Sequence, residues 1–306
     1  MFLPYRTDLE FNRVPVITLL VCSLCIIIFI RQLQSDSSVV SSAQRYCEQD
    51  HPRQFWLTLK KLTGNDAADA CPAIFAGIYS TANPNKVILN LAERAAPWDL
   101  MTPTESRDYT AEQLRNAFDE FKQDVRPSLT SKLEYNPATF NLWHMITAAF
   151  AHGSWSHLIG NLIFFYAFAT AVEIILGSTQ FALIILLLAV GTHSVYAVSQ
   201  HMAHSATPTL GLSGVVMGII GLFVYLIPNA NIRSLLWILV FWRVLRVPAW
   251  LLAVWYVGWD VYDLMHSDGS SNVNFVAHIS GAALVYLTGM LFFKERKEWA
   301  QAQLNN

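Results

Sequence analysis

Apolar residues in this chain come in long runs rather than at intervals. Six stretches, Val14 to Ile30, Ser154 to Leu176, Phe181 to Val198, Ser213 to Ile227, Val247 to Tyr262 and Asn274 to Phe293, are apolar almost throughout. A helix rises 1.5 Å per residue, so about 20 such residues cross a hydrocarbon core of roughly 30 Å. The pattern therefore predicts six membrane-spanning helices. Arg31 and Gln32 follow the first run where a cleaved signal peptide would need small residues, so that run is expected to stay as an anchor. Gln32 to Asn141 is different: polar, mixed in charge, with helical periodicity in Pro52 to Leu62, Pro84 to Arg94 and Thr110 to Val125, where Thr110 stands as the expected N-cap. A small helical domain inserted after the first helix is expected there. Asn231 to Arg246, apolar and aromatic with three Arg and followed by Pro248, reads as an amphipathic segment in the interface.

Composition agrees with a membrane protein. Of 306 residues, 54% are hydrophobic and 14% charged, and the mean hydropathy is +0.35, which departs from the average soluble domain. The net charge of −2 gives no basic surface for nucleic acid. Charge position says more. No Lys or Arg occurs between Lys132 and Arg233 or between Arg246 and Lys294, while Arg6, Arg13, Arg233, Arg243, Arg246, Lys294, Arg296 and Lys297 gather at alternate ends of the spans. The positive-inside rule then puts both termini in the cytoplasm, and long loops such as 32–141 cross largely regardless of charge. The expected organisation is an all-α polytopic protein of a bacterial inner membrane. Residues 1–31 form a cytoplasmic N-terminus and first helix, 32–141 an extracytoplasmic inserted domain, 142–293 the core, and 294–306 a cytoplasmic tail. Cys22 and Cys25 read as packing residues of the first span. Cys47 and Cys71 lie in the external segment, where a disulfide and two free thiols both stay open.

Candidate chemistry is concentrated in the later spans. Between Tyr135 and Ile232 the one formally charged residue is Glu173, yet this part of the chain and the last span hold His152, His157, Asn161, His193, Ser213 and His278. Polar groups are costly in a bilayer, so each invites a functional explanation, although a lone Ser or His in such a helix more often bonds to backbone or a neighbouring helix. Depth separates the two cases. Pro228 stops the fourth span, which from Ser213 rises only about 21 Å, so Ser213 must lie below the outer surface. The run Ala206 to Leu212, with Pro208 and Gly211, would then dip into the membrane, as irregular backbone can where it lines a cavity or is buried in protein. Ser213 stands 15 residues before Pro228, His278 16 before Lys294 and Asn161 16 before Gly177. A hydroxyl, an imidazole and an amide thus arrive at one level, with His157 a turn further out and His152 near the mouth. Gly214 and Gly218, facing Ala277 and Gly281, would let the fourth and sixth helices pack backbone to backbone.

Three segments carry a resemblance. His152-Gly-Ser-Trp-Ser-His157-Leu-Ile-Gly-Asn161, Gly211-Leu-Ser213-Gly214-Val-Val-Met-Gly218 and Ala277-His278-Ile-Ser-Gly281 resemble the three signatures of the rhomboid family, in that family's order, within roughly residues 140 to 295. The resemblance implies a six-helix rhomboid-like bundle and an intramembrane serine endopeptidase without cofactor or metal, cutting single-span or polytopic membrane proteins. Ser213 would be the nucleophile and His278 its general base. Asn161, His157 and the Ser213 N–H would stabilise the oxyanion, with His152 orienting that shell. No acidic third member is expected at that depth, hence a dyad. Ala171-Val172-Glu173 also resembles the family and implies a structural, hydrogen-bonded carboxylate. Trp143 matches a family tryptophan, but His144 stands where an Arg often follows. Met217 stands where an aromatic often packs on the imidazole, a contact a thioether can also make.

Other chemistries fit less well. An inactive relative would usually lack the Ser or the His, and a channel would predict charge-paired groups along several helices. His152 and His157 are five apart and no HExxH occurs, which argues against a metalloprotease. Asp260 and Asp263 share one helix, whereas an aspartyl pair must face across two, so they read as interfacial. His193, His201, His204 and His266 have no assignable role.

Overall fold

The computed structural model describes residues 2–7, 13–64, 66–81, 83–125, 127–238, 241–266 and 273–304. It divides into two compact units, residues 31–132 and the remainder. Strand β1 (Phe2–Thr7) is followed by the 32-residue helix α1 (Val16–Cys47), whose polar C-terminal half belongs to the 31–132 unit.

That unit continues with α2 (Arg53–Thr63), α3 (Ala67–Tyr79), α4 (Pro84–Arg94), α5 (Pro103–Asp124) and the short α6 (Leu129–Leu133). Its core is aromatic: the Tyr46 ring meets His51, Phe55, Phe75 and Phe121 at centroid distances of 4.5 to 5.9 Å. A disulfide joins Cys47 to Cys71, tying α1 to α3. The chain leaves the unit where it entered, because Ser35 Oγ accepts from Leu129 N at 2.8 Å and Asp36 Oδ2 from Thr130 Oγ1 at 2.8 Å. One expectation is corrected. The α5 N-cap is Thr102, in a capping box with Glu105, and Thr110 lies inside the helix with its hydroxyl turned back onto the Ser106 carbonyl. Thr-x-x-Glu with Pro103 at the first helical position is the stronger start signal.

The second unit holds α7 (Leu142–Phe150), α8 (Trp155–Leu176), α9 (Ser178–Met202), α10 (Ser213–Leu226), β2 (Asn231–Ile238), β3 (Phe241–Pro248), α11 (Ala249–His266), α12 (Phe275–Phe292) and α13 (Lys294–Leu304). Among the described residues four helices, α1, α8, α9 and α12, are long and apolar enough to cross a membrane. The other two expected spans are the short α10 and α11, which carries Asp260 and Asp263. Every residue of α10 except Ser213 and Val224 is buried, so this helix is the axis of the bundle. α1, α9 and α12 instead expose apolar side chains such as Ile27, Leu183 and Leu291, at 58%, 62% and 76%, as a lipid-facing surface would. Glu173, 2% exposed, pins the start of α1. Its carboxylate accepts from Ile17 N at 2.9 Å and from Thr18 N, Thr18 Oγ1 and Ser178 Oγ, each at 2.8 Å. It thereby satisfies N–H groups that a helix start leaves orphaned, with charge of the favourable sign.

The chain is mostly helical rather than all-α. Asn231 to Arg246, expected as an interfacial amphipathic segment, forms the hairpin β2–β3, and β1 pairs antiparallel with β2 to complete a three-stranded sheet. Leu239 and Val240 of that segment lie outside the described residues. Ile232, Trp237, Ile238, Phe241, Trp242, Val244 and Val247 are the β-branched and aromatic residues that favour an extended backbone.

Candidate active site

The approach to α10 is fixed at three points. Tyr196 Oη donates to the Thr207 carbonyl at 2.8 Å. Tyr135 and Thr209 exchange two backbone bonds of 2.9 Å, and Asn274 Nδ2 reaches Thr209 Oγ1 at 3.1 Å. Gly211 N donates to the Ala148 carbonyl at 2.8 Å. Gly211 has φ +131°, which side-chain-bearing residues rarely adopt, and a Cβ there would lie 2.6 Å from His157 Cε1. Two separate reasons thus call for glycine. Ser213 follows as the first residue of α10, half-buried, where helix N–H groups have no intrahelical partner.

His278 lies in the first turn of α12, which Asn274 caps by accepting from Ala277 N at 3.0 Å. The helix comes close to α10 because Gly281 has no side chain: a Cβ there would strike the Gly214 carbonyl oxygen. Lower down, a Cβ on Gly221 would sit 2.6 Å from the Ala282 carbonyl oxygen. Gly218 differs from expectation. Its open side faces Leu188 of α9, and Gly214 meets Thr192 of the same helix, so the glycine pair after Ser213 seats α9 while Gly221 and Gly281 seat α12.

His157 and Asn161 are one turn apart on α8 and share a face. The His152 and His157 rings meet edge to face at 5.1 Å. Asn161 is 8% exposed, and its Nδ2 is buried without a hydrogen-bond partner among the described residues. The aromatic neighbour of His278 is Phe275 of its own helix, at 6.4 Å, while Met217 is buried in the core. Trp143 is 68% exposed. His193 bonds through Nδ1 to the Ala189 carbonyl at 2.7 Å and packs against the Tyr135 ring. Among the described residues no group of three or more His, Cys, Asp or Glu is arranged to hold a metal.

One expectation is overturned here. His278 Nδ1 lies 3.0 Å from Asp260 Oδ2 of α11, and the two side chains are only 13% and 14% exposed. An acidic group does reach this imidazole, and Asp260 is turned inward onto His278 rather than out from its helix. The signal is present in the sequence: a carboxylate among Trp255, Trp259, Val261 and Tyr262 needs a partner. His278 Nε2, on the other side of the ring, is buried without a hydrogen-bond partner among the described residues.

Comparison with known proteins agrees with this geometry. A family model for the Rhomboid domain matches residues 139–295, which contain His152, His157, Asn161, Ser213, Asp260 and His278. Over 155 residues, 46% of the chain, it is 32% identical to the RHOMBOID-like protein 12, mitochondrial, of Arabidopsis thaliana. Over 215 residues, 61% of the chain, it is 26% identical to the Rhomboid protein 1, mitochondrial, of Saccharomyces cerevisiae. The matches span 43% and 59% of those two relatives' own lengths. With its family model covering half the sequence and its glycine-lined α10–α12 contact in place, this chain belongs to the rhomboid family.

Proposed function

We propose that the chain is an intramembrane serine endopeptidase that cuts membrane-protein substrates, with Ser213 as nucleophile and His278 as general base. The observation that carries this reading is the meeting of Gly214 and Gly281, which lets a serine at the start of α10 approach an imidazole in the first turn of α12. His278 Nε2 is left with no competing partner among the described residues. The proton of Ser213 Oγ passes to Nε2 as Oγ attacks the peptide carbonyl, and it is then delivered to the leaving amine. Water repeats the sequence in reverse to release the acyl group. The developing oxyanion is met by the Ser213 N–H at the helix start and by Asn161 Nδ2, a buried donor not otherwise used, with His157 beside them. Catalytic hydrogen bonds tighten when substrate arrives, so a bound substrate is expected to bring Oγ and Nε2 together.

The membrane orientation follows the basic residues, with the termini cytoplasmic and residues 31–132 on the opposite side. The Cys47–Cys71 disulfide suits an oxidising compartment there. Both relatives bear the word mitochondrial in their names, while the reading for this chain is a bacterial inner membrane. The 31–132 unit, lying outside every proposed catalytic position, acts in substrate selection.

Purified protein in detergent, incubated with a single-span reporter, tests the activity. Wild type should cleave it, and Ser213→Ala and His278→Ala should each abolish cleavage while still folding. Turnover near the wild-type rate in either variant removes the assignment.

A further inference from the structure

The proposed dyad leaves unexplained why a carboxylate sits against the far side of its imidazole. Asp260 belongs to α11, a helix whose buried residues are Ala249 and Leu252 near its other end, and which otherwise shows lipid-facing residues such as Val254, Trp255 and Tyr262. From that helix Asp260 turns a carboxylate inward to within 3.0 Å of His278 Nδ1. We propose that Asp260 is a positioning residue for His278, making the constellation Ser213, His278 and Asp260; the inference rests on the serine-protease reading above.

The chemistry is directional. A carboxylate accepts, so Nδ1 donates to it and holds the neutral ring's proton, which leaves the lone pair on Nε2. Nε2 is the nitrogen that lacks a partner among the described residues. The contact therefore selects the tautomer that can act as base and fixes the ring plane. When Oγ–H breaks and Oγ–C forms, the proton goes to Nε2 and the carbonyl π pair to the oxyanion, while the imidazolium keeps its Nδ1 proton facing the Asp260 carboxylate. When the C–N bond breaks, the Nε2 proton leaves with the amine. The Nδ1 proton stays on the ring throughout, and no electron or co-reactant is needed. A different assignment, a strut holding α11 to α12, would use the same contact without touching the chemistry.

The experiment uses the full chain in detergent, with kcat and KM on a single-span reporter and thermal melting measured alongside. Asp260→Asn, of equal size, should lower kcat by roughly 10²- to 10⁴-fold, because an amide can donate to Nδ1 and favour the wrong tautomer. KM and melting temperature should stay near wild type. Asp263→Asn, one turn away and half-exposed, should behave as wild type. Formate should restore part of the activity of Asp260→Ala and none to Ser213→Ala. A kcat for Asp260→Asn within about threefold of wild type overturns the inference, as does a loss carried by KM or by melting temperature. If Asp260→Ala does not fold, Asp260→Asn alone decides. Failure of the wild type to cleave, or cleavage by Ser213→Ala, removes the protease reading itself and is a different result from an unaffected Asp260→Asn.

Discussion

The carbonyl oxygen of Gly214 occupies the space that a Cβ on Gly281 would fill. Thr192 Cγ2, 3.2 Å from the same point, closes the other side. Neither the backbone of α10 nor a side chain sealed between helices can give way cheaply. Gly281→Ala should therefore part α10 from α12, at a cost of about 1–3 kcal/mol for overpacking. Activity should fall at least about tenfold, because sub-ångström placement of base and nucleophile decides rate. Reporter cleavage and thermal melting check this, and Gly258→Ala, at a site with open space around its Cβ position, serves as the control.

In the proposed mechanism Asn161 is a single oxyanion donor among several. Asn161→Ala should lower kcat roughly 10- to 1,000-fold with little change in KM, since the bond strengthens only in the transition state. Steady-state kinetics on the reporter decide it, and unchanged kcat would leave the amide a packing role.

The Glu173 carboxylate satisfies two backbone N–H groups at the start of α1 together with the hydroxyls of Thr18 and Ser178. Glu173→Ala leaves those donors buried and unpaired, a loss of roughly 2 kcal/mol or more. A lower melting temperature is expected, with kcat of the surviving folded fraction near wild type, because no proposed catalytic residue touches this group.

Glu134, just ahead of the buried Tyr135, has its pKa raised from 4.5 to about 7 by desolvation. Burial disfavours the charged form, so the folded protein holds this proton to higher pH than the unfolded chain does. The sign follows: the stability associated with the neutral group is fully present below pH 4.5 and is lost as pH rises through about 7. Glu134→Gln, neutral throughout, should melt higher than wild type at pH 8 and close to it at pH 4, in melting curves taken across that range.

Much of this was legible before any coordinates. The span from Ser154 to Leu176 and the short helix from Ser213, stopped ahead of Pro228, follow from the apolar runs and the proline. The three signatures pointed to the candidate site through their resemblance to the family, and the close α10–α12 approach was legible in their glycines. What escaped were relations across the fold. A strand such as Phe2–Thr7 has no meaning until its partner at 231–238 is known. The 231–246 segment gives one apolar-aromatic pattern whether it lies in an interface or pairs with itself. The Asp260–His278 contact joins neighbouring helices whose relative rotation no sequence period reports.

The sheet also sets an order of events during synthesis. Phe2 pairs with Leu236, and β2 lies between β1 and β3. At about 5–20 residues per second, the first strand emerges from the ribosome roughly ten seconds to a minute before its partner. Through that interval the helices of the bundle are made one after another, while the strand has no partner to pair with. The sheet closes only once α10, with Ser213, has been made, so completion of this small structure reports that the central helix of the bundle has already been synthesised.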